Sequence, residues 1–564
     1  MTDTPDSLRI LAALRQLDES GYARLLRGRR VPTRGLTDPI DLAEWLAEDA
    51  NVDSGLRRLH WRTLRGLRLG SPAALEVAQR LQLALAGGGE GDKNARLLPR
   101  AEAELARLLP EVPRFADGLA DDAPSGTDRA QEAAQLALDA LWQLDAHRRA
   151  VQHARSGVRL SAIELRRLST ELERPVEVVA ALYSWLARAE LMAPAGEHWA
   201  PTAAGRGFAD LPLPQRWLTL AQAWLAELTL DDVTEAAWLR DPEHPAVALG
   251  LADAARGTLT RLGALLLDGR GTEAAELLAA EVMPAVRGVY VQPDQTIVSP
   301  GPLSAADDAA LRGFAQLEHR ALASQFRLTQ ASIERALLAG ETLESIRATL
   351  ERLSLTGIPQ PVAYLLESSA ERFGRVRVRA HVDDFGRITS RVRADTPQLL
   401  DALRIDTALS SLALRPADAE LASAASPETT LLTLVEARYP AALEDIDGEL
   451  RRGVDLVTAE PYHPEPTATL RSAAEALAEH TATAPERDDE ATWLRRRLEL
   501  ARRDRVELRL EIALGGDRTA ELEVVPISVT EQRLRARDTE AEVERTVPLR
   551  AIVAVEGTRV AGRD

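Results

Sequence analysis

Val289-Tyr-Val-Gln-Pro-Asp-Gln-Thr-Ile-Val-Ser299 is where the chain changes character. Apolar and polar residues alternate on either side of Pro293-Asp294, which predicts a hairpin of two short strands. Upstream, most of the first 285 residues carry leucine and alanine at helical spacing, with little β-branched alternation. Downstream, helices and strands interleave. Ser304 caps a helix to about residue 319, and 324–328 reads as a strand. Thr329 caps a helix that Gly340 ends, and Thr342 opens another to Leu353. Ile358-Pro-Gln-Pro361 turns into a helix over 362–373. Val376-Arg-Val-Arg-Ala-His-Val382 then alternates as a half-buried strand, and 384–386 turns the chain into a second one over 387–393.

Outward from this centre, the sequence predicts a multi-domain α+β protein. A mostly helical N-terminal half contains a winged helix, small α/β domains lie centrally, and a small β-barrel closes the chain. The expected divisions are an N-terminal helical domain (1–86), a helical segment (95–156), a winged helix (157–212) and a second helical segment (213–285). An α/β domain (286–400), a second small α/β unit (401–456), a linker (457–490) and the barrel (491–564) follow. Gly87-Gly-Gly-Glu-Gly-Asp-Lys-Asn94 marks the first boundary. The winged-helix reading rests on order: Ser161 caps one helix, Pro175 starts a second, a hairpin pattern runs through Trp199, and Thr202 caps a third. Helix is expected to run from residue 129 to 155. The prolines in 457–490, four in number, suggest a linker around one amphipathic helix over 470–478. Alternating stretches at 506–512, 520–526, 533–537, 543–547 and 552–556 give the barrel strands.

Composition narrows the chemistry. The 564 residues contain no cysteine, which removes disulfides, thiolate nucleophiles and cysteine-ligated metals. The opening residues lack a basic stretch followed by an apolar run, and no apolar stretch reaches membrane length, so a cytoplasmic protein off the membrane is expected. The formal net charge of −18 argues against a globally basic nucleic-acid binder but leaves room for a local basic face. Lys93 is the single lysine, so positive charge is almost all arginine.

Tyr290-Val-Gln-Pro-Asp-Gln-Thr-Ile-Val-Ser-Pro-Gly-Pro-Leu303 resembles the opening of the N-terminal domain of XPB-type repair helicases, as found in bacterial helicase-associated proteins. The resemblance continues through Phe326-Arg-Leu-Thr-Gln-Ala-Ser332, Gly340 and the Ser354 to Leu366 block. Gly157, Trp199-Ala-Pro-Thr202, Arg216-Trp217 and Ala223-Trp224 are similar to the winged-helix part of that family. Tyr439-Pro-Ala-Ala-Leu-Glu-Asp-Ile-Asp-Gly448 resembles a later block. The C-terminal strands resemble WYL-type domains, without the Trp-Tyr-Leu signature. The resemblance implies a companion of DNA repair or transcription machinery.

The helicase motor itself is missing from the pattern. No G-x-x-x-x-G-K-[ST] loop is present to hold nucleotide phosphates, and Lys93 sits in a glycine-rich run without a following Ser or Thr. Neither a G-x-S-x-G elbow nor an H-E-x-x-H helix occurs. The nine histidines are scattered, and the paired aspartates (121-122, 307-308, 383-384, 488-489) fall at caps and turns. No enzyme activity, cofactor or metal is therefore expected. Candidate nucleic-acid contacts are arginine clusters. Ten arginines against six acids lie between Gly21 and Gly70, where Arg58, Arg62 and Arg65 at i, i+4, i+7 would share a helical face beside Trp61. Arg159, Arg166 and Arg167 flank the winged helix. Arg495, Arg496, Arg497, Arg502 and Arg503 form a C-terminal group. The expected function is a non-catalytic adaptor in DNA repair or transcription, with DNA and a helicase or other repair or transcription protein as partners. A ligand-sensing transcriptional regulator and a protein-only scaffold are the alternatives.

Overall fold

The computed structural model describes residues 6–86, 95–146, 149–154, 157–319, 324–383, 385–445, 447–451, 457–462, 467–483, 489–504, 506–515 and 518–560. The chain is a multi-domain α+β protein, with many helices and several small sheets. It divides into two compact units, residues 1–113 with 226–236 and 464–564, and residues 114–225 with 237–463. Among the described residues, no helix is long and apolar enough to cross a membrane.

The first unit begins with short helices whose starts follow capping chemistry. Asp18 and Asp38 each accept a backbone N–H three residues on, at 2.7 and 3.0 Å, and Pro39 takes the first helical position. The amphipathic helix expected over 470–478 is present and longer, as Ala468–Thr483. Its Ala474 and Leu477 are buried, and Thr481 shares a 2.7 Å hydrogen bond with Tyr22 of the Glu19–Arg29 helix. All four prolines of 457–490 lie outside the helix itself, which is why it runs uninterrupted. The expected barrel strands form one five-stranded antiparallel sheet. Glu544–Pro548 and Ile552–Val560 are its edges and are not paired to each other among the described residues, so this sheet is open. The helix Asp489–Asp504 packs Leu498 and Ala501 into the same core as Leu508, Leu510 and Val524.

In the second unit the helix Thr127–Ala146 ends before the expected 155, and Arg149–Ala154 is a strand. Pairing on both sides overrides the local helical pattern: this strand lies between Gly157–Leu160 and His198–Pro201. The helices Ala162–Glu171 and Val176–Arg188 and the hairpin Met192–Ala195/His198–Pro201 follow the anticipated order.

One local device recurs. Thr202 and Thr260 each cap a helix, accepting the N–H of Gly205 and Gly263 at 3.1 Å. Their backbone N–H groups donate to Leu191 and Leu251, at 3.0 and 3.1 Å. The glycines are required for contact: a Cβ would lie 1.9 Å from the Leu191 oxygen or 2.0 Å from that of Leu251.

Residues 289–373 build a four-stranded sheet and helices around Val289, Ile297, Phe326, Ile346, Leu350 and Val362. Ser304, Thr329 and Thr342 cap the helices as their positions suggested. Arg312 is buried and ion-paired to Asp139 and Asp308, each at 2.8 Å. Burial opposes its charge, but the two carboxylates outweigh burial and hold the guanidinium above its ordinary pKa.

The next sheet crosses residue 400. Its six strands run in the order Arg415–Ala417, Glu420–Ser423, Ile388–Ala394, Val376–Val382, Ala441–Glu444, Leu450–Arg451. Val376, Val378, Val392 and Leu421 face a core closed by Leu403, Leu431 and Leu434 of the helices Pro397–Ile405 and Pro427–Glu436. This alternation is what places the candidate site, because every other residue faces the opposite side.

Candidate nucleic-acid interface

The register of the six-stranded sheet assembles arginines on the face away from its helices. Arg377 lies opposite Arg393, and Arg379 opposite Arg391. Like charges directly across a strand pair are unfavourable, so two such pairs in succession need compensation. Arg391 also lies opposite Ala422, which lies opposite Arg415. Five arginines therefore share this face with two glutamates.

Those glutamates arrive from neighbouring strands. Glu420 holds Arg379 through two hydrogen bonds of 3.2 and 2.9 Å, and these raise the guanidinium's pKa further. Glu444 lies 2.6 Å from Arg393 and 3.7 Å from Arg377. Arg391 is 3.4 Å from the His381 ring, and no carboxylate pairs with Arg391 or Arg415 among the described residues. The arginines are not sealed off: the side chains of Arg379 and Arg393 are 45% and 43% exposed. A partly exposed, incompletely neutralised guanidinium row can take anionic oxygens with bidentate geometry.

The arginines singled out from sequence are placed differently. Arg58 ends the helix Asp49–Arg57, whereas Arg62 and Arg65 lie on the separate helix Trp61–Arg68, so the expected single face does not exist. The break is tertiary: the Trp61 N–H donates to the Leu228 carbonyl at 2.6 Å. Trp61 is buried and cannot stack on a base. Arg58 donates to the Arg29 carbonyl at 2.8 Å. Burial, then Arg58, pushes the Arg29 guanidinium down to about 10. Arg62 is exposed and Arg65 half-buried.

Arg159 and Arg166 are exposed, on the strand Gly157–Leu160 and the helix Ala162–Glu171. Arg167 pairs with Glu164 at 3.2 Å, and Glu164 also binds the buried Arg149. Arg495, Arg496, Arg497, Arg502 and Arg503 share the helix Asp489–Asp504. Arg496 is consumed internally by Asp38, at 2.6 Å, and by Asp41. Arg495 and Arg497 are half-buried and Arg502 is exposed, while the Arg503 side chain lies outside the described residues.

Two further possibilities carry less. A small cleft of about 60 Å³ is lined by Gln135, Leu213, Arg216, Leu303, Asp308 and Phe326. Its charged groups are committed, Arg216 to the carbonyls of Phe208 and Ala209 and Asp308 to Arg312. Among the described residues no group of three or more His, Asp or Glu could hold a metal. The glycine run around Lys93 and the pair His463 and Glu465 lie outside those residues.

Residues 289–418 match the helicase conserved C-terminal domain family. The match covers the four-stranded sheet, the helices beside it and the strands that carry Arg377, Arg379, Arg391, Arg393 and Arg415. The chain thus carries a helicase-associated domain, and this domain supplies the arginine face. No curated protein matches the chain.

Proposed function

We propose that the protein is a non-catalytic accessory factor in DNA repair or transcription that contacts DNA through the arginine face of the 376–451 sheet and can recruit a helicase partner. The observation that carries this reading is the set of cross-strand arginine pairs inside a helicase-associated domain. Glu420 and Glu444 offset the charge of Arg379, Arg393 and Arg377, and a phosphate backbone would supply the counter-charge that Arg391 and Arg415 lack among the described residues. The missing phosphate-binding loop supports a role without ATP hydrolysis. The 286–400 segment is read as an XPB-type N-terminal domain, the 157–212 segment as a winged helix and the C-terminal sheet as WYL-like. The helix Val176–Arg188 buries Val179, Leu182, Tyr183 and Leu186. Its exposed positions include Glu177, Ser184 and Arg188, which suits a protein contact better than base reading.

Titration of the full chain with duplex, forked and single-stranded DNA tests the proposal. The wild type is expected to bind, and Arg391→Glu/Arg393→Glu to lose at least tenfold, since each substitution both removes a phosphate partner and adds repulsion. Equal affinity of wild type and variant would remove this face from the reading. DNA-stimulated ATP hydrolysis by the purified chain would overturn the non-catalytic part.

A further inference from the structure

The hairpin that carries the arginine pairs ends in an apolar tip. Phe385 is 83% exposed, and Val382 and Ile388 beside it are 62% and 64% exposed. Three large apolar side chains together in water are a cost the hairpin does not need for its own pairing, which is complete from Val376↔Ala394 to Val382↔Ile388.

The turn under the ring is built, not slack. The Asp383 carboxylate accepts the N–H groups of Phe385 and Arg387, both at 2.9 Å. The Asp383 N–H donates to the Arg387 carbonyl at 3.0 Å, and Gly386 supplies the left-handed backbone the turn requires, with φ of 76°. The Arg387 guanidinium binds Asp383 at 2.9 Å and lies 5.5 Å from the Phe385 ring centroid. With the Arg387 guanidinium over one face of the ring, the opposite face is the one on which a nucleobase can stack, and the cation favours the phosphate that follows.

Position selects the occupant. Val382 and Ile388 share the parity of the buried Val378 and Val392 and so lie on the helix side, whereas on the arginine face His381 and Thr389 are the pair nearest the tip and Arg379 and Arg391 the one after. Three residues of strand separate Ile388 from Arg391, about 10 Å. A strand whose base stacks on Phe385 can therefore lay its next phosphates over those arginines. We propose that Phe385 is a stacking tip for an unpaired base, placed so that the protein prefers single-stranded DNA and single-strand–duplex junctions over closed duplex. This rests on the DNA-binding reading of the arginine face.

The test measures affinity of the full chain for blunt duplex, a fork and oligo-dT at one salt concentration. Phe385→Ala is expected to lose about 5- to 150-fold on the fork and oligo-dT, the range for one base–aromatic stack, and to bind blunt duplex as the wild type does. Phe385→Trp is expected to restore fork binding. Phe385 contributes nothing to a core, so the alanine variant folds. Unchanged binding of all three DNAs by Phe385→Ala overturns the proposal and leaves a protein-docking tip. Equal loss on all three overturns it too, because stacking on an unpaired base demands selectivity. The arginine-face reading survives either result if Arg391→Glu/Arg393→Glu still weakens binding. If the wild type binds none of the DNAs, both fall.

Discussion

At the scale of single residues, Tyr439 and Asp406 show how one hydrogen bond ties stability to pH at two ends of the range. The Tyr439 hydroxyl donates to the Asp406 carboxylate at 2.8 Å. Burial, then Asp406, pushes the phenol up to about 12. Tyr439, then the Ala408 N–H, holds the Asp406 carboxyl below its ordinary range. A raised phenol contributes stability that is complete below its ordinary value of 10.0 and is lost as pH climbs toward about 12. A depressed carboxyl contributes stability that is present above its ordinary 3.8 and lost as pH falls below it. Tyr439→Phe is therefore expected to lower the urea midpoint by a constant amount between about pH 4 and pH 10, with the deficit shrinking outside that window. Midpoints of both proteins measured across pH decide it: a deficit that persists unchanged at pH 3 would show that the lost contact is packing rather than this hydrogen bond.

At the scale of elements, the repeated threonine cap makes a sharper demand than any helix propensity. Gly263 sits where a Cβ would meet the Leu251 carbonyl oxygen at 2.0 Å, so the turn beneath the Arg261–Leu267 helix must open to admit alanine. Gly263→Ala is expected to cost about 3 kcal/mol, at the upper end for overpacking, although alanine is the better helix former. Chemical denaturation reads this directly, and a neutral or stabilising result would mean that the cap geometry gives way freely. Such caps were legible beforehand, because Ser, Thr and Asp announce helix starts within a few residues of sequence. Strand alternation at 376–382 was legible for the same local reason, and it already put Arg377 and Arg379 on one side. Their meeting with Arg393 and Arg391 was not, because register is a property of two strands and of the buried valines that lock them. The misplaced face of Arg58, Arg62 and Arg65 has the complementary cause. Helical spacing was continuous in sequence, and the helix break at residues 58–60 is enforced by Leu228, more than 150 positions away. The strand Arg149–Ala154 escaped detection in the same way, since both its partners are needed to make it a strand.

At the scale of the whole molecule, a net charge of −18 has to coexist with a face of five arginines and two glutamates. Screening decides which of them DNA senses. Near physiological salt the Debye length is about 8 Å, so DNA on the sheet responds to the arginines beneath it and little to acids farther away. If about four phosphates are neutralised there, log K falls with log salt at a slope near −0.9 per phosphate, and affinity drops roughly 100-fold between 50 and 200 mM. Arg391→Ala is expected to reduce that slope by about one, whereas Arg62→Ala, exposed but on a different element, leaves it unchanged. Below about 10 mM the Debye length reaches roughly 30 Å, and the acidic remainder of the chain begins to repel the same DNA. The plot of log K against log salt is therefore expected to rise as salt falls and then flatten, where a globally basic binder would keep rising. A flat line between 50 and 200 mM would remove the arginine face as a phosphate contact. A line that stays straight to the lowest salt would show that the chain's acidic excess lies too far from the bound DNA to matter.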